Sequence, residues 1–353
     1  MEIKVFNDED RSLYNNFLLQ SEYKDILQSW QWGEIKSKFN FNWKAIRIGF
    51  LENKELKGIA QILERKLPFG FSLLYIPRGP VTDWDNLNLV QDLTSSLKDF
   101  IDKFNKKTIF LRLEPPVNTT KKEVKEILKN NGFKKYFKIV QPPSTLLIDL
   151  TPSEENLFKT FRRTARNLIY RSEREGITVG VFNNSEITID ELKGFYNLYR
   201  ETGKRFSFSL RPFKQFEYLL KEAGELVTLK LYKARIKGLI LAYGLVLILG
   251  DKAFYIWGGT SRHKSYSKFF NYGYVWAMLK DLKNSGVKTF DFWGLGPLDN
   301  KKHPWYGFSL FKTAFGGERS DYIGAFELSK SKLNPLFKVI DRVITPKYRA
   351  TSS

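Results

Sequence analysis

Lys312 is the residue of this sequence whose setting best suits chemistry. It lies in Phe311-Lys312-Thr313-Ala314-Phe315, so aromatic residues flank it. A cation held beside aromatic rings can stabilise negative charge that develops on a carbonyl or leaving oxygen. Spacing alone equally fits a surface lysine between two core phenylalanines. Asp291, in Asp291-Phe292-Trp293-Gly294, lies at a predicted strand end, where it could accept a proton or serve structure only.

Other catalytic arrangements are poorly represented. The chain has no Cys, which excludes thiolate catalysis and Cys-ligated metal centres, and its two histidines, His263 and His303, leave little room for His-based catalysis. No carboxylate and histidine cluster has metal-ligand spacing, and no Gly-rich phosphate loop of the nucleotidase type is present. We therefore expect no metal site and no tightly bound organic cofactor.

Positive charge is concentrated in the second half of the chain. The net charge is +20, of which residues 1–150 carry +5 and residues 151–353 carry +15. Such a field attracts polyanions. Five arginines crowd one predicted helix, where they could meet RNA phosphates or an anionic membrane, or form a solvated face that Glu173 and Glu175 partly neutralise: Arg162, Arg163, Arg166, Arg171 and Arg174.

Length and composition indicate two globular domains. The chain has 353 residues, of which 42% are hydrophobic, enough for two cores. Its first ten residues carry charges where a signal peptide needs an apolar stretch, so we expect a cytoplasmic protein. The longest apolar run, from Gly238 to Gly250, is 13 residues. That run is too short for a membrane helix and predicts a buried strand.

An internal duplication appears at a spacing of about 180 residues. Tyr75-Ile76-Pro77-Arg78-Gly79 returns as Tyr255-Ile256-Trp257-Gly258-Gly259, and the turn at Leu56-Lys57-Gly58 returns as Ile236-Lys237-Gly238. Each copy continues with a predicted helix, Leu87 to Phe104 or Ser267 to Asn284, and then a strand. The order strand, turn, strand, strand, helix, strand therefore occurs twice.

Helical patterns precede each copy. The best defined predicts one helix from Pro152 to Glu175, with Thr151 as N-cap, Glu154 closing a capping box and Gly176 as the stop. Helices followed by an antiparallel meander, a helix and a strand are typical of the N-acetyltransferase (GNAT) superfold. We predict an α/β (α+β) protein of two tandem GNAT-like domains, residues 1–145 and 146–315, with mixed, mostly antiparallel sheets.

The coenzyme A loop of that superfold is missing. It would supply backbone amides for a pyrophosphate at a helix N-terminus. The matching segments are Arg78-Gly79-Pro80-Val81-Thr82 and Gly258-Gly259-Thr260-Ser261-Arg262, and neither fits the pattern. Coenzyme A is therefore not expected as a cofactor.

A tandem pair without that loop resembles the FemABX family of non-ribosomal peptidyltransferases, in its compact FemX-like form without an inserted helical hairpin. Five segments in the family's order carry the resemblance along nearly the whole chain: Gln28 to Lys36, which begins Gln28-Ser29-Trp30-Gln31-Trp32-Gly33, Leu74 to Pro80, Arg162 to Gly176, Asp291 to Gly294, and Gly307 to Gly317. The resemblance also implies that residues 316–345 complete the first domain, which would leave 346–353 as a flexible tail.

The resemblance implies transfer of an amino acid from aminoacyl-tRNA to the peptide of a peptidoglycan precursor, either UDP-MurNAc-peptide or lipid II. An aminoacyl ester is already activated, so catalysis needs positioning, oxyanion stabilisation and one proton transfer. Lys312 would stabilise charge on the carbonyl or ribose oxygen. Phe311 would stack on the terminal adenine. From the charge of the predicted helix, rather than from the resemblance, we assign Arg162, Arg163 and Arg166 to tRNA phosphates.

Acceptor binding is implied at further positions. Lys36 and Arg211 match residues that hold the precursor's diphosphate, and Arg205 competes with Arg211 for that role. Tyr75 and Tyr255, at the ends of equivalent strands, could bond the precursor or merely pack.

Two other functions stay open: an N-acyltransferase of the same superfold that uses an acyl thioester, and a non-catalytic tRNA-binding protein. We expect a monomer that touches the inner membrane face.

Overall fold

The computed structural model describes residues 1–39, 42–137, 140–206, 208–224, 226–266, 269–331, 334, 335 and 337. Two compact units divide the chain: residues 1–143 with the chain after residue 320, and residues 144–320. We call them unit 1 and unit 2. The predicted tail, 346–353, and much of the segment predicted to complete the first domain lie outside the described residues.

Unit 1 contains one eight-stranded sheet and four described helices. Its strands are β1 (Glu2–Phe6), β2 (Trp43–Glu52), β3 (Glu55–Lys66), β4 (Ser72–Ile76), β5 (Val81–Thr82), β6 (Thr108–Leu113), β7 (Lys134–Lys135) and β15 (Phe326–Ser329). Its helices are α1 (Arg11–Gln20), α2 (Trp30–Phe39), α3 (Leu87–Lys103) and α4 (Lys122–Asn130). The sheet order is β1-β2-β3-β4-β6-β15-β7, and β5 pairs with β3.

Unit 2 contains one seven-stranded sheet and six described helices. Its strands are β8 (Ser144–Asp149), β9 (Thr178–Asn183), β10 (Val227–Ile236), β11 (Leu239–Leu249), β12 (Lys252–Thr260), β13 (Thr289–Gly294) and β14 (Glu318–Asp321), whose last residue falls at the boundary between the units. Its helices are α5 (Glu154–Thr160), α6 (Arg163–Arg174), α7 (Ile189–Phe206), α8 (Phe213–Glu222), α9 (Phe270–Asn284) and α10 (Tyr306–Lys312). The sheet order is β14-β8-β13-β12-β11-β10-β9.

The predicted duplication is confirmed in the topology. In unit 1, β2, β3 and β4 form an antiparallel meander, α3 follows, and β6 pairs with β4 in parallel. In unit 2, β10, β11 and β12 form the same meander, α9 follows, and β13 pairs with β12 in parallel. The fold is therefore two mixed, mostly antiparallel GNAT-like sheets, as the element order predicted.

Each parallel strand is completed by an antiparallel neighbour from elsewhere in the chain. In unit 2 that neighbour is β8, which follows directly on unit 1. In unit 1 it is β15, which follows unit 2 in the chain and pairs with β6, with Phe326 opposite Leu113. The apolar run Gly238–Gly250 forms β11, which is buried from Leu241 to Leu249.

The single helix predicted from Pro152 to Glu175 is wrong. Two helices occur instead, α5 capped by Ser153 and α6 starting after Arg162, with extended backbone at Phe161 and Arg162 between them. The break is a tertiary effect: the Phe161 ring packs edge-on against Trp276 and Phe315, and the Arg162 N–H donates to the Ala314 carbonyl at 2.9 Å. Local helix propensity loses to these contacts.

Separate apolar cores stabilise the two sheets. Leu93 and Leu97 of α3 are buried in the unit 1 core, and Met278 and Leu279 of α9 are buried in the unit 2 core. Within the described part of the chain, no helix has the length and apolarity needed to cross a bilayer.

Candidate active site

The candidate site lies in unit 2, where β13 becomes irregular. The pairing of β13 with β8 is regular from Thr289 to Asp291, shifts register, and resumes at Gly294 opposite Thr145. Trp293, inside the shift, has a φ of 58°, a left-handed conformation that costs a non-glycine residue energy. A register shift of this kind redirects carbonyls out of the strand ladder.

Lys312 uses two of those carbonyls. Its Nζ donates to the Phe292 carbonyl at 2.8 Å and to the Gly294 carbonyl at 2.6 Å. A lysine ammonium has three N–H bonds, so one remains for a further acceptor. Burial lowers the pKa of Lys312 to about 7, while the nearby negative charge of Asp291 opposes that shift. The site therefore holds a positioned cation that can lose its proton near neutral pH.

The aromatic neighbours predicted for the ammonium are wrong. Its Nζ lies 5.0 Å from the Phe308 ring centroid and 6.0 Å from that of Phe292. Phe308 precedes Lys312 by four residues on α10, and residues four apart share a helix face. Phe311 and Phe315 instead contact each other and Tyr272.

Asp291 is buried beneath this site and already bonded. One carboxylate oxygen, Oδ1, accepts a hydrogen bond from the Thr145 hydroxyl and another from the Trp293 N–H at 2.8 Å. The other oxygen, Oδ2, lies 3.9 Å from Lys252 Nζ. With 2% of the residue exposed, the carboxylate supports the strand irregularity that presents the Lys312 acceptors.

Phe311 and Arg162 lie on one side of the same region. The Phe311 ring meets the half-buried Tyr272 edge-on with centroids 5.0 Å apart, and the positive charge of Arg162 acts on the pKa of Tyr272, which burial raises. The bond from Arg162 N–H to the Ala314 carbonyl fixes the start of α6 beside the end of α10. The structure thus brings Lys312, Phe311 and Arg162 together.

The arginines of α6 face outward because the other side of the helix is packed on α9. Ser172 meets Gly273 so closely that a Cβ at Gly273 would lie 2.0 Å from the Ser172 hydroxyl. Arg163 is exposed, whereas Arg166 is partly buried and donates to the Lys159 carbonyl at 3.5 Å. Arg171 lies over the Phe269 ring at 4.6 Å. Arg162 is thus an exposed cation near Phe311, and Arg163, the next residue, is also exposed.

Arg205 and Arg211, which the sequence could not separate, differ in their bonding. Arg205 donates from one nitrogen to the Thr260 carbonyl at 2.7 Å and to the hydroxyls of Thr260 and Thr202 at 2.8 and 2.9 Å. Arg211 is exposed, and its backbone N–H and carbonyl are held by Tyr199 and Tyr196. Arg211 therefore has a fixed backbone and a guanidinium in solvent.

Lys36 lies on α2 of unit 1. Its Nζ is 4.9 Å from the Trp32 ring centroid and 5.7 Å from that of Phe39, so two aromatic faces hold a half-buried cation. The helix is packed tightly at Gly33, where a Cβ would lie 2.2 Å from the Gln61 side chain. The landmark Gln28 joins that helix entry to the loop after β4, since its Nε2 donates to the Pro77 carbonyl at 2.6 Å.

Tyr75 is bonded within unit 1. Its hydroxyl donates a hydrogen bond to the buried Glu114 carboxylate and accepts one from the Gln141 amide at 3.0 Å. Glu114 Oε1 also accepts from the N–H groups of Val140 and Gln141 at 2.8 and 3.3 Å. Burial and the negative charge of Glu114 raise the pKa of Tyr75 well above its usual value.

Tyr255 does not end its strand, contrary to the prediction. It lies in the middle of β12, and its ring covers two glycines: a Cβ at Gly258 would lie 2.4 Å from its hydroxyl, and one at Gly244 would lie 2.8 Å from the ring. Burial raises the pKa of Tyr255 to about 12. The segments that begin at Tyr75 and Tyr255 are similar in sequence, but β12 continues past Tyr255 to Thr260.

Several residues that hold candidate side chains, in unit 2 and separately in unit 1, carried no recognisable signal in the sequence. Thr145 and Lys252, which hold Asp291, come from β8 and β12, and Glu114, which holds Tyr75, follows β6. Tyr272 is one aromatic among many on α9. Only contacts between distant parts of the chain distinguish these residues.

Known proteins share both the sequence and the fold. The sequence model of the FemAB family matches residues 10–240 and 230–342, which together span most of the chain. The chain belongs to the FemAB family. A relative in this family, the lipid II:glycine glycyltransferase of Staphylococcus epidermidis, is 24% identical over 90% of this chain and 91% of its own length.

Solved structures agree with the two GNAT-like units. The crystal structure of FemX superposes with a TM-score of 0.80 and 23% identity over 97% of this FemAB-family chain and 100% of its own. A tandem GNAT protein from the clavulanic acid pathway gives a TM-score of 0.53 and 10% identity over 94% of this chain and 98% of its own. At these identities the likeness concerns the fold.

Proposed function

We propose that this FemAB-family chain is an aminoacyltransferase that moves an amino acid from aminoacyl-tRNA to an amine of a peptidoglycan precursor peptide. The observation that carries the proposal is the Lys312 ammonium, held by two carbonyls with its third N–H available. Relatives named lipid II:glycine glycyltransferases support lipid II as the acceptor and glycine as one amino acid to test first.

The reaction requires little beyond positioning and charge stabilisation. The acceptor amine attacks the ester carbon, a C–N bond forms, and the bond from that carbon to the ribose oxygen breaks. The third N–H of Lys312 donates to the oxygen that becomes negative, either the carbonyl oxygen or the ribose oxygen. The proton released by the amine ends on the ribose hydroxyl, so atoms and charges balance without a covalent enzyme intermediate.

Asp291 acts as a positioning residue in this proposal. Its carboxylate lies 2% exposed and is bonded to Thr145 and Trp293, so a substrate proton has no open route to it. Its charge instead favours the ammonium form of Lys312. Loss of Asp291 would release the β13 irregularity and lower the charge on Lys312 together.

The donor tRNA would lie along the face that carries Phe311, Tyr272, Arg162 and Arg163. Aromatic rings stack on unpaired bases of any sequence, and arginines bind phosphates in a bidentate manner. This arrangement supports an acceptor end of tRNA better than an extended duplex.

Arg211 in unit 2 and, separately, Lys36 in unit 1 are each a candidate for binding a phosphate of the acceptor. Arg211 is preferred to Arg205 because its guanidinium is exposed, whereas Arg205 is bonded to Thr202 and Thr260. Tyr75 and Tyr255 are better explained as packing residues, since the Tyr75 hydroxyl is bonded to Glu114 and the Tyr255 ring covers two glycines.

The test is a transfer assay with defined donors and acceptors. Purified protein is incubated with lipid II or UDP-MurNAc-peptide and with glycyl-tRNA or a mixed pool of charged tRNAs, and the products are weighed by mass spectrometry. We expect a gain of one amino-acid residue that ribonuclease treatment of the donor abolishes. A product formed from an acyl thioester instead, or from no donor, would overturn the proposal.

A further inference from the structure

The most exposed large apolar side chain described in the protein is Phe69, which is 87% exposed. It sits at the tip of the loop between β3 and β4, with a φ of 60° that presents it outward. The Leu67 N–H donates a hydrogen bond to the Phe71 carbonyl at 2.8 Å, which closes the loop. Lys107 Nζ donates to the Phe69 carbonyl at 3.0 Å. A ring so placed serves no internal packing.

The end of the sheet around Phe69 is strongly basic. Ser72 pairs with Thr108, so β4 and β6 begin side by side, and Trp43 pairs with Arg65, so β2 begins where β3 ends. We call this end the basic tip, made of the following residues, of which Trp43 is half-buried and the rest exposed: Trp43, Lys44, Arg65, Lys66, Phe69, Lys106 and Lys107.

Few acids offset this charge. Glu64 is 9% exposed and pairs with Lys44 across the strands, and Asp102 lies near Lys330 at the end of α3. Arg65 lies over Trp43 at 5.9 Å, so an indole adjoins the cations. One exposed phenylalanine, one indole and a ring of lysine and arginine form the combination that binds the interface of an anionic bilayer.

The opposite end of unit 1 has the opposite charge. A depression of about 560 Å³ there is lined by Glu22, Glu52, Asp83 and Asp92, with Lys57. Leu87 begins α3 at this acidic end, whereas Lys103 ends it at the basic tip. A negatively charged surface would therefore attract one end of unit 1 and repel the other.

We propose that the basic tip docks the protein on an anionic lipid bilayer, with Phe69 entering the interface and the cations on lipid phosphates. The inference rests on the proposed function for its purpose, because a lipid-linked acceptor is confined to a bilayer. From Ser72, where β4 begins after the turn that carries Phe69, the strand rises about 10 Å to Tyr75. That distance sets the bonded Tyr75 end of β4 clear of the lipid surface.

The test measures co-sedimentation with vesicles of phosphatidylcholine alone or mixed with phosphatidylglycerol. Phe69→Asn removes the ring while suiting the left-handed backbone, and we expect at least about tenfold weaker binding to the mixed vesicles. Lys66→Gln with Lys107→Gln should weaken binding about fivefold for each charge, with the effect shrinking in high salt. Leu87→Asn, an exposed apolar residue at the acidic end, is the matched control.

Transfer assays separate this inference from the proposed function. Phe69→Asn should slow transfer to lipid II in anionic vesicles while leaving transfer to soluble UDP-MurNAc-peptide unchanged. Unchanged vesicle binding by Phe69→Asn, or an equal loss in Leu87→Asn, would overturn the docking surface. If Phe69→Asn binds tRNA more weakly but still binds vesicles normally, the basic tip contacts RNA instead of lipid. Absence of transfer to either acceptor, with Phe69-dependent vesicle binding, would overturn the proposed function alone.

Discussion

The two units differ at the ends of their equivalent parallel strands. In unit 1, β6 is followed by Glu114, whose carboxylate is taken up by the Tyr75 hydroxyl and the N–H groups of Val140 and Gln141. In unit 2, β13 ends in an irregularity whose carbonyls hold Lys312 and leave one N–H unused. The same fold thus carries a closed acidic cluster in one copy and an open cation in the other.

The difference teaches where a duplicated fold can change its chemistry. In both units the residues of the strands are constrained by the hydrogen bonds of the sheet and by packing in the apolar core. The residues just after the parallel strand are constrained only by their own hydrogen-bond partners. In unit 1 that place secures the chain that leaves for unit 2, since Val140 and Gln141 belong to the connection. In unit 2 that place holds the Lys312 ammonium, the group that we propose acts on the substrate.

The largest expected effect comes from removing the Lys312 ammonium. Lys312→Met keeps the length and apolar character of the side chain but removes the donor. We expect transfer to fall about 10²- to 10³-fold, as for loss of an oxyanion donor, with folding preserved because a buried charge is also removed. Rate measurements with saturating donor, alongside the exposed-lysine control Lys301→Met, check this. A variant with full activity would move the chemistry away from β13.

The second prediction concerns the pH dependence of the same group. Its pKa of about 7 means that the ammonium is present below that pH and is lost as pH rises through it. If the cation is the active form, the rate should fall above pH 7, approaching tenfold per pH unit, after correction for the titration of the acceptor amine. Lys312→Arg stays charged and should lack this falling limb. A Lys312-dependent rate that instead increases through pH 7 would make the neutral amine a base.

The third prediction distinguishes the two arginines of unit 2. Arg211→Ala should raise the KM for a diphosphate-bearing acceptor about tenfold and leave the melting temperature unchanged, because an exposed charge-assisted bond is lost only in the complex. Arg205→Ala should lower stability first, since three internal hydrogen bonds disappear. The reverse pattern would exchange their roles. KM values and thermal denaturation of both variants decide.

The smallest effect on activity is expected in the closed cluster of unit 1. Glu114→Gln keeps the shape but removes the charge that accepts the Tyr75 hydroxyl and two backbone N–H groups. We expect a loss of about 1–3 kcal/mol in the free energy of unfolding, measured with urea, and little change in the transfer rate. Tyr75→Phe should behave similarly. A large rise in acceptor KM for Tyr75→Phe, with stability retained, would return Tyr75 to the substrate site.

Sequence determined the fold and the family of this protein. Periodic helices and strands repeated at about 180 residues predicted two GNAT-like sheets, because hydrophobic spacing and turn residues act locally and leave a direct trace in the chain. The motif around Lys312 singled out a lysine that the structure holds with two carbonyls, and its part in catalysis stays a prediction. The predicted helix 152–175 failed where local signals met a tertiary contact at Phe161.

Only the tertiary structure decided what surrounds the chemistry. The Lys312 ammonium is held by Phe292 and Gly294, some 20 residues earlier, and Asp291 is fixed by Thr145, on a strand that begins unit 2. Such partners are chosen by strand register and helix face, which depend on the whole sheet. A sequence states which groups are available, but burial and hydrogen bonding set the pKa and direction of each group only after distant segments meet.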